Sequence, residues 1–366
     1  MQIPEYLNKC QGLADRRFNI QGDEELFIRI LKDMLECGGG LRPSDHWAQF
    51  GGYDVATSKK SAFDDAAARE YFRKKFQDLK SMLDPWIGSV GMQPLSEDYL
   101  AGFKEIFRSL DKHPELAIPA GEFLLQSKIL NTDVCSLFDL AMLRAFTGIQ
   151  DRSGFSILEI GGGYGRLAEA ILEVHRGVKP YVMVDAVPTS LLYCYQYLKK
   201  WLPDRKIGFY LLEDFDPAKH DVYILPPWHL DRLKDNRFDL VINIESMQEM
   251  TPEHTEFYLS TIDRILKDDA HFYFSNSFSY KNPGPWPFPN NWQALTWHNT
   301  PRSWSKEHPT IMFRKTSGSW KLQNGILASL HQKQVLDWSA NLRIAELENN
   351  VARHRHPKKK KQFIFW

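Results

Sequence analysis

The chain has 366 residues, 43% hydrophobic and 25% charged, with 46 basic and 46 acidic side chains. That length suits two domains rather than one small one, and the mixture suits an ordinary globular core. A formal net charge of zero excludes a global field that would recruit nucleic acid, and no apolar run is long enough to span a bilayer. Met1-Gln2-Ile3-Pro4-Glu5-Tyr6 lacks the basic-then-apolar form of a secretory signal. Cys10, Cys37, Cys135 and Cys194 lie too far apart for a zinc or thioredoxin-like motif. Reduced core thiols in a cytoplasm are therefore expected.

Residues 1–150 read as a helical domain, on the acceptor side or used for oligomerisation. Asp23 to Glu36 carries Leu26, Phe27, Ile30, Leu31, Met34 and Leu35 at helical spacing, with Asp23 as cap and Gly38-Gly39-Gly40 as stop. Ser61 to Leu83 is a longer candidate, Ser96 to Leu110 another, and Asn131 to Phe146 a fourth, stopped by Gly148. Gly38 to Lys60 mixes His46, Trp47, Phe50 and Tyr53, as a packed surface loop or part of an acceptor pocket. The polar break at Gln150 to Gly154 ends this domain.

The period then changes to alternating strand and helix. Ser156 to Ile160 is an apolar run carrying one acid, Glu159, followed by Gly161-Gly162-Gly163-Tyr164-Gly165 and a helix through Leu172. Glycines allow positive φ and close backbone approach, and the helix start offers free N–H groups. A dinucleotide G-x-G-x-x-G fails in every frame, whereas acid-x-Gly-x-Gly-x-Gly fits Glu159, Gly161, Gly163 and Gly165, with Gly162 between them. This turn resembles the first motif of class I S-adenosylmethionine-dependent methyltransferases. The resemblance implies that the turn wraps the methionine part of the cofactor and that the acid holds its amino group.

Pro180 to Asp185 reads as a buried strand ending in an acid, 20 residues beyond Gly165, where a carboxylate can accept from both hydroxyls of a ribose. Ala186 stands beside it, and Pro188 opens a helix through Trp201. Asp185 could equally serve as the cap of that helix. Lys206 to Leu212 and Asp221 to Leu225 compete for the next strand; the second is better spaced and would set Pro226-Pro227-Trp228 near an adenine. Arg237 to Asn243 is a further strand, after which Asn243, Glu245, Gln248 and Glu249 should face the reacting centre, with Asn243 and Glu245 able to touch the cofactor. A helix from Thr251 to Leu266 and a strand from His271 to Asn276 complete a doubly wound, mostly parallel Rossmann-like sheet over 151–280.

Residues 281–366 form the last unit. Asn282 to Trp292 is rich in Pro and Trp, and Trp297, His298, Arg302 and Trp304 follow. Exposed Trp beside polar groups suits the C–H faces of a sugar, and a packed loop over the sheet edge is the alternative. Gln334 to Val351 reads as a helix, and the Lys358 to Lys361 run with its aromatic end could touch an anionic membrane surface.

Together LEIGGGYGRLAEAI, VDAVPTSLLYCYQYL, FDLVINIESMQEM and FYFSNSF resemble the sugar O-methyltransferases of this class, over roughly residues 120–280. The resemblance implies methylation of a deoxysugar, nucleotide-sugar or polysaccharide unit, with no metal site indicated. Deprotonating a hydroxyl calls for a carboxylate or His; Glu249 is the first candidate, then Glu245, His254 and His298. A non-sugar small molecule or protein side chain as acceptor, or a non-catalytic cofactor binder, are the rival readings.

Overall fold

The computed structural model describes residues 6, 17–37, 39–43, 63–83, 131–277, 286–299 and 309–321. Most of the loop read from Gly38 to Lys60 (residues 38 and 44–60), the Ser96 helix, Arg302, Trp304, the C-terminal helix and the basic tail lie outside the described residues.

Fifteen elements follow one another among them. The N-terminal part has α1 (Glu24–Cys37), α2 (Asp65–Lys75), α3 (Leu79–Leu83) and α4 (Asn131–Thr147). Then come β1 (Phe155–Ile160), α5 (Arg166–Val174), β2 (Val178–Val184), α6 (Pro188–Trp201), β3 (Ile207–Phe209) and β4 (Val222–Leu225). β5 (Phe238–Ile244), α7 (Pro252–Ile265), β6 (Leu266–Ser275), β7 (Trp292–Asn299) and β8 (Pro309–Lys315) complete the set.

All eight strands form one sheet in the order β3-β4-β2-β1-β5-β6-β8-β7. Every pairing from β3 to β6 is parallel; β8 is antiparallel to β6 and to β7. The doubly wound Rossmann-like fold is therefore present. β1, β2 and β5 are buried along nearly their whole length, as strands covered on both faces must be. The chain steps from β1 through β2 to β4 in one direction and from β5 to β6 in the other, so right-handed crossovers require α5 and α6 on one face and α7 on the other.

Local chemistry explains most boundaries. Asp23 accepts from the Leu26 amide at 3.0 Å and starts α1 as expected. Arg42 closes the other end by donating to the carbonyls of Met34 and Leu35. Gly148, left-handed at φ 61°, stops α4. The single helix expected from Ser61 to Leu83 is instead α2 and α3. The break is made by tertiary pairing: Gln77 accepts from Gly22, Leu79 donates to Ile20, and Asp78 caps Ser81. Both rival segments became strands, β4 beside β2 and β3 outside it. β6 starts at Leu266, directly after α7 and five residues earlier than read, because Phe238 of β5 pairs with Leu266. β7 and β8 had no counterpart in the sequence reading.

The described helical part shares one apolar core with the sheet. Arg17 anchors it: fully buried, it pairs with Asp133 of α4 and Glu169 of α5 and donates to the Tyr197 hydroxyl of α6 at 2.6 Å. Such a charge is tolerable inside only because every neighbour is an acceptor or a ring. Cys135 and Cys194 are buried thiols as expected, whereas Cys37 is exposed at the end of α1. No described helix is long and apolar enough to cross a membrane.

Candidate functional site

Strand register lines up one row of residues at the carboxyl edge. Leu225 lies opposite Val184, Val184 opposite Ile160, Ile160 opposite Asn243, and Asn243 opposite Phe274. One step beyond that row stand Pro226, Asp185, Gly161, Ile244 and Ser275. The chain leaves β1 toward β2 on one side and leaves β5 toward β6 on the other, so the crevice of a doubly wound sheet opens between those two exits.

Gly161, Gly163 and Gly165 all take positive φ, at 74°, 55° and 95°. The reasons differ. A side chain on Gly161 would collide with the Ser246 hydroxyl, and one on Gly165 would press on Leu198 and Cys194 of α6. Gly163 has nothing among the described residues within 4 Å of where its Cβ would stand. Among those residues the turn is thus packed from below at two glycines and open at the third. Gly162 lies over Glu159, whose Oε2 would stand 3.2 Å from an added Cβ.

Asp185 points at this turn. Its Oδ2 accepts from the Gly163 amide at 3.0 Å, and its Oδ1 accepts from the Val187 amide at 2.8 Å. The second bond makes a tight side-chain turn just ahead of α6, whose cap is Val187 with no side-chain cap bond, so Asp185 is not the helix cap that was the alternative reading; the first joins the end of β2 to the glycine turn. Burial pushes the Asp185 carboxyl up to about 6, against the pull of the Val187, Gly163 and Ala186 amides. Glu159 is buried and accepts from the Tyr181 hydroxyl at 2.7 Å. Burial pushes it up to about 7, opposed by that bond and by the Arg166 charge. Two acids with raised pKa values therefore sit beneath and beside one glycine turn.

The β5 side of the crevice is built differently. Asn243 is fully buried, and its carboxamide is used within the protein on every side. Nδ2 donates to the Ile160 carbonyl (3.0 Å) and the Ser246 hydroxyl (2.5 Å); Oδ1 accepts from Asn276 (2.8 Å) and the Met247 amide (3.4 Å). That is the full capacity of an amide side chain, so Asn243 ties β5 to β1 and β6 instead of facing a reacting centre. Gln248 is buried as well and accepts from the Ser277 amide at 2.6 Å. Glu245 leaves the strand in the left-handed region at φ 55°, a strain of the kind that concentrates at sites, while its amide donates to Ser275. Glu249 closes the short helical turn Met247–Glu249 and is half-buried.

The remaining candidates scatter. His254, in the first turn of α7, donates its Nε2–H to the Gly40 carbonyl. His298 lies on β7 opposite Thr310; its side chain is outside the described residues. Ala186 is half-buried next to Asp185, and Pro226 is buried at the exit of β4. Trp286 and Trp292 are not the exposed platforms expected for a sugar. Both are buried in a cluster with Phe272, Phe274, Phe288 and Phe313, and the Trp292 indole donates to Asp263 of α7 at 2.8 Å. For these two the packed-loop alternative holds: apolar area drew them against β6 and β8.

Sequence reasoning passed over Tyr181, Ser246, Asn276 and Asp33. Tyr181 sits inside an apolar strand, where a hydroxyl needs a partner, and that was a usable signal. The other three are ordinary polar residues whose meaning comes only from their neighbours in space.

No family model and no curated protein matches this chain. Among solved structures, a proposed sarcosine dimethylglycine methyltransferase from Galdieria sulphuraria aligns at 13% identity and TM-score 0.40, over 60% of this chain and 99% of that one. A 1,6-didemethyltoxoflavin-N1-methyltransferase from Burkholderia thailandensis, with S-adenosylhomocysteine bound, aligns at 19% and 0.35, over 61% and 92%. An S-adenosylmethionine-dependent methyltransferase from Aquifex aeolicus aligns at 15% and 0.33, over 47% and 88%. At these scores function has to be judged from the site itself.

Proposed function

We propose that this chain is an S-adenosylmethionine-dependent methyltransferase acting on a sugar hydroxyl. The cofactor half is carried by one observation: Asp185, an acid whose described partners are backbone amides alone, is joined to the open glycine of a turn at the switch point of the sheet. The residues fit the cofactor. No described residue crowds Gly163, and Asp185 keeps acceptor capacity for a ribose diol. Glu159 lies under the turn for the amino group, and the buried Pro226-Pro227 turn is a rigid apolar neighbour for a purine. When bound, the cofactor supplies an electrophilic methyl group on a sulfonium.

The acceptor half rests on the motif resemblance. We assign the hydroxyl proton to Glu249; in support, its short turn is preceded by Ser246, which abuts Gly161 of the glycine turn. Positioning supplies much of the remaining rate. Glu245, strained at the same exit, is the second candidate; His254 is occupied with Gly40.

Calorimetry with S-adenosylhomocysteine tests the first half, and absence of binding overturns it. Mass-spectrometric methylation assays with nucleotide-sugars and oligosaccharides test the second; methyl arriving on an amine or a protein instead removes the sugar. Glu249→Gln should keep S-adenosylhomocysteine affinity and slow turnover about a hundredfold or more, and an unchanged rate takes Glu249 out of the role.

A further inference from the structure

The end of α1 is fastened to the exit of β4. Asp33 accepts from the Trp228 indole at 2.7 Å and from the His229 ring at 3.4 Å. Trp228 and His229 directly follow the Pro226-Pro227 turn at the exit of β4. Six residues after Asp33 the chain forms the short turn Gly39–Leu41, which packs on the same β4 exit. The carbonyl of Gly40 accepts from His254 at the start of α7, the helix that follows β5. Arg42 folds the chain back onto the end of α1. One short stretch of chain therefore bridges from the exit of β4 to the helix after β5. In the sheet, β2 and β1 lie between those two strands.

We propose that the end of α1 from Asp33 and the turn from Gly39 to Arg42 form a strap that completes the nucleoside-binding wall of the cofactor site. Asp33 and His254 are its two positioning residues. Neither need touch the ligand. Asp33 holds the β4 exit turn against α1, and His254 holds the strap against α7, so the wall is set before a nucleoside arrives and less ordering is left for binding. Preorganisation of this kind acts mainly on the dissociation rate. The proposal rests on the cofactor reading given above.

The test needs no methyl acceptor. Full-length wild type, Asp33→Ala, Asp33→Asn and His254→Phe are titrated with S-adenosylhomocysteine by calorimetry. Hydrogen exchange is followed over residues 31–42 with and without the ligand, and melting temperatures are taken without it. Asp33→Ala removes two hydrogen bonds to a charged acceptor and should weaken binding about tenfold or more. Asp33→Asn keeps an acceptor for Trp228 and should recover part of that loss, while His254→Phe should cost about threefold. In the wild type, exchange over 31–42 should slow when ligand is present. A purely structural role would lower the melting temperatures and leave both the affinity of the folded protein and the ligand-dependent protection unmoved; that outcome overturns the strap. If Asp33→Ala does not fold, His254→Phe and wild-type exchange decide. Failure of the wild type to bind S-adenosylhomocysteine would refute the cofactor reading itself, whereas wild-type binding with unaltered variants refutes the strap alone.

Discussion

Two aspartates at opposite ends of the same sheet have opposite fates. Asp239, at the amino end of β5, accepts from the Ser156 amide (2.9 Å) and hydroxyl (2.7 Å) and pairs with Arg152 and Lys267, each at 2.8 Å. Despite burial, Lys267 and Ser156 hold its carboxyl below the usual range. Asp185, at the carboxyl end of β2, meets only backbone amides among the described residues, and burial raises it to about 6. The first acid is saturated by its own protein. The second is left with acceptor capacity in a crevice. A structural carboxylate recruits cations, and one kept for a ligand is held by neutral donors.

The largest expected effect tests this contrast directly. Asp185→Ala should reduce S-adenosylhomocysteine affinity about a hundredfold or more, as two charge-assisted hydrogen bonds to a ligand are lost. Calorimetry that shows no change would erase the distinction between the two acids. Asp239→Ala should do the reverse. Arg152 and Lys267 are half-exposed, so the loss is about 1–3 kcal/mol of stability in denaturant melts, with ligand affinity of the folded protein unchanged. Because the folded pKa of Asp239 is depressed, its contribution is present above the unfolded value of about 4 and fades as pH falls below it; Asp239→Ala should lack that acid limb.

Smaller effects sharpen the same comparison within the glycine turn. Gly161→Ala meets both positive φ and the Ser246 hydroxyl, so it should cost stability as well as about tenfold in ligand affinity. Gly163→Ala carries only the backbone strain, about 1 kcal/mol, because no described residue crowds it; its effect should fall on ligand affinity, where the new methyl intrudes. Equal stability losses in thermal melts would contradict the open-cradle geometry. Finally, S-adenosylhomocysteine affinity should decline as pH falls through about 6, where Asp185 takes up a proton and loses anionic acceptor character. Asp185→Asn should flatten that step in a calorimetric pH series.

Much of this was legible before any coordinates. The helix from Pro188 to Trp201 has the bounds read from its opening proline and apolar spacing. β5 lies within one residue at each end of the run read from Arg237 to Asn243, and α7 followed from Thr251 and Pro252, with Thr251 accepting from the His254 amide. Each of these signals is local. The misreadings are non-local. Nothing between Ser61 and Leu83 announces that Gln77 will pair with Gly22 and divide the helix. Trp286 and Trp292 have the composition of a sugar platform, and only the nearness of β6 and β8 turned them inward. β7 and β8 were passed over because they are held in the sheet by pairing with β6 and with each other, which no local pattern announces.

By itself the sequence determined that a glycine turn with positive φ follows a buried strand carrying Glu159, and that an acid ends the next strand, because backbone conformation and strand burial are written in single residue types. Tertiary structure decided what those acids do. Register brought Asp185 to Gly163, Asn243 to Ile160 and Ser246 to Gly161, and α1 was carried to the exit of β4. The physical reason is that a polar side chain in a crevice takes its role from the partners within hydrogen-bond reach, and those are set by how strands pair, across separations that no local pattern encodes.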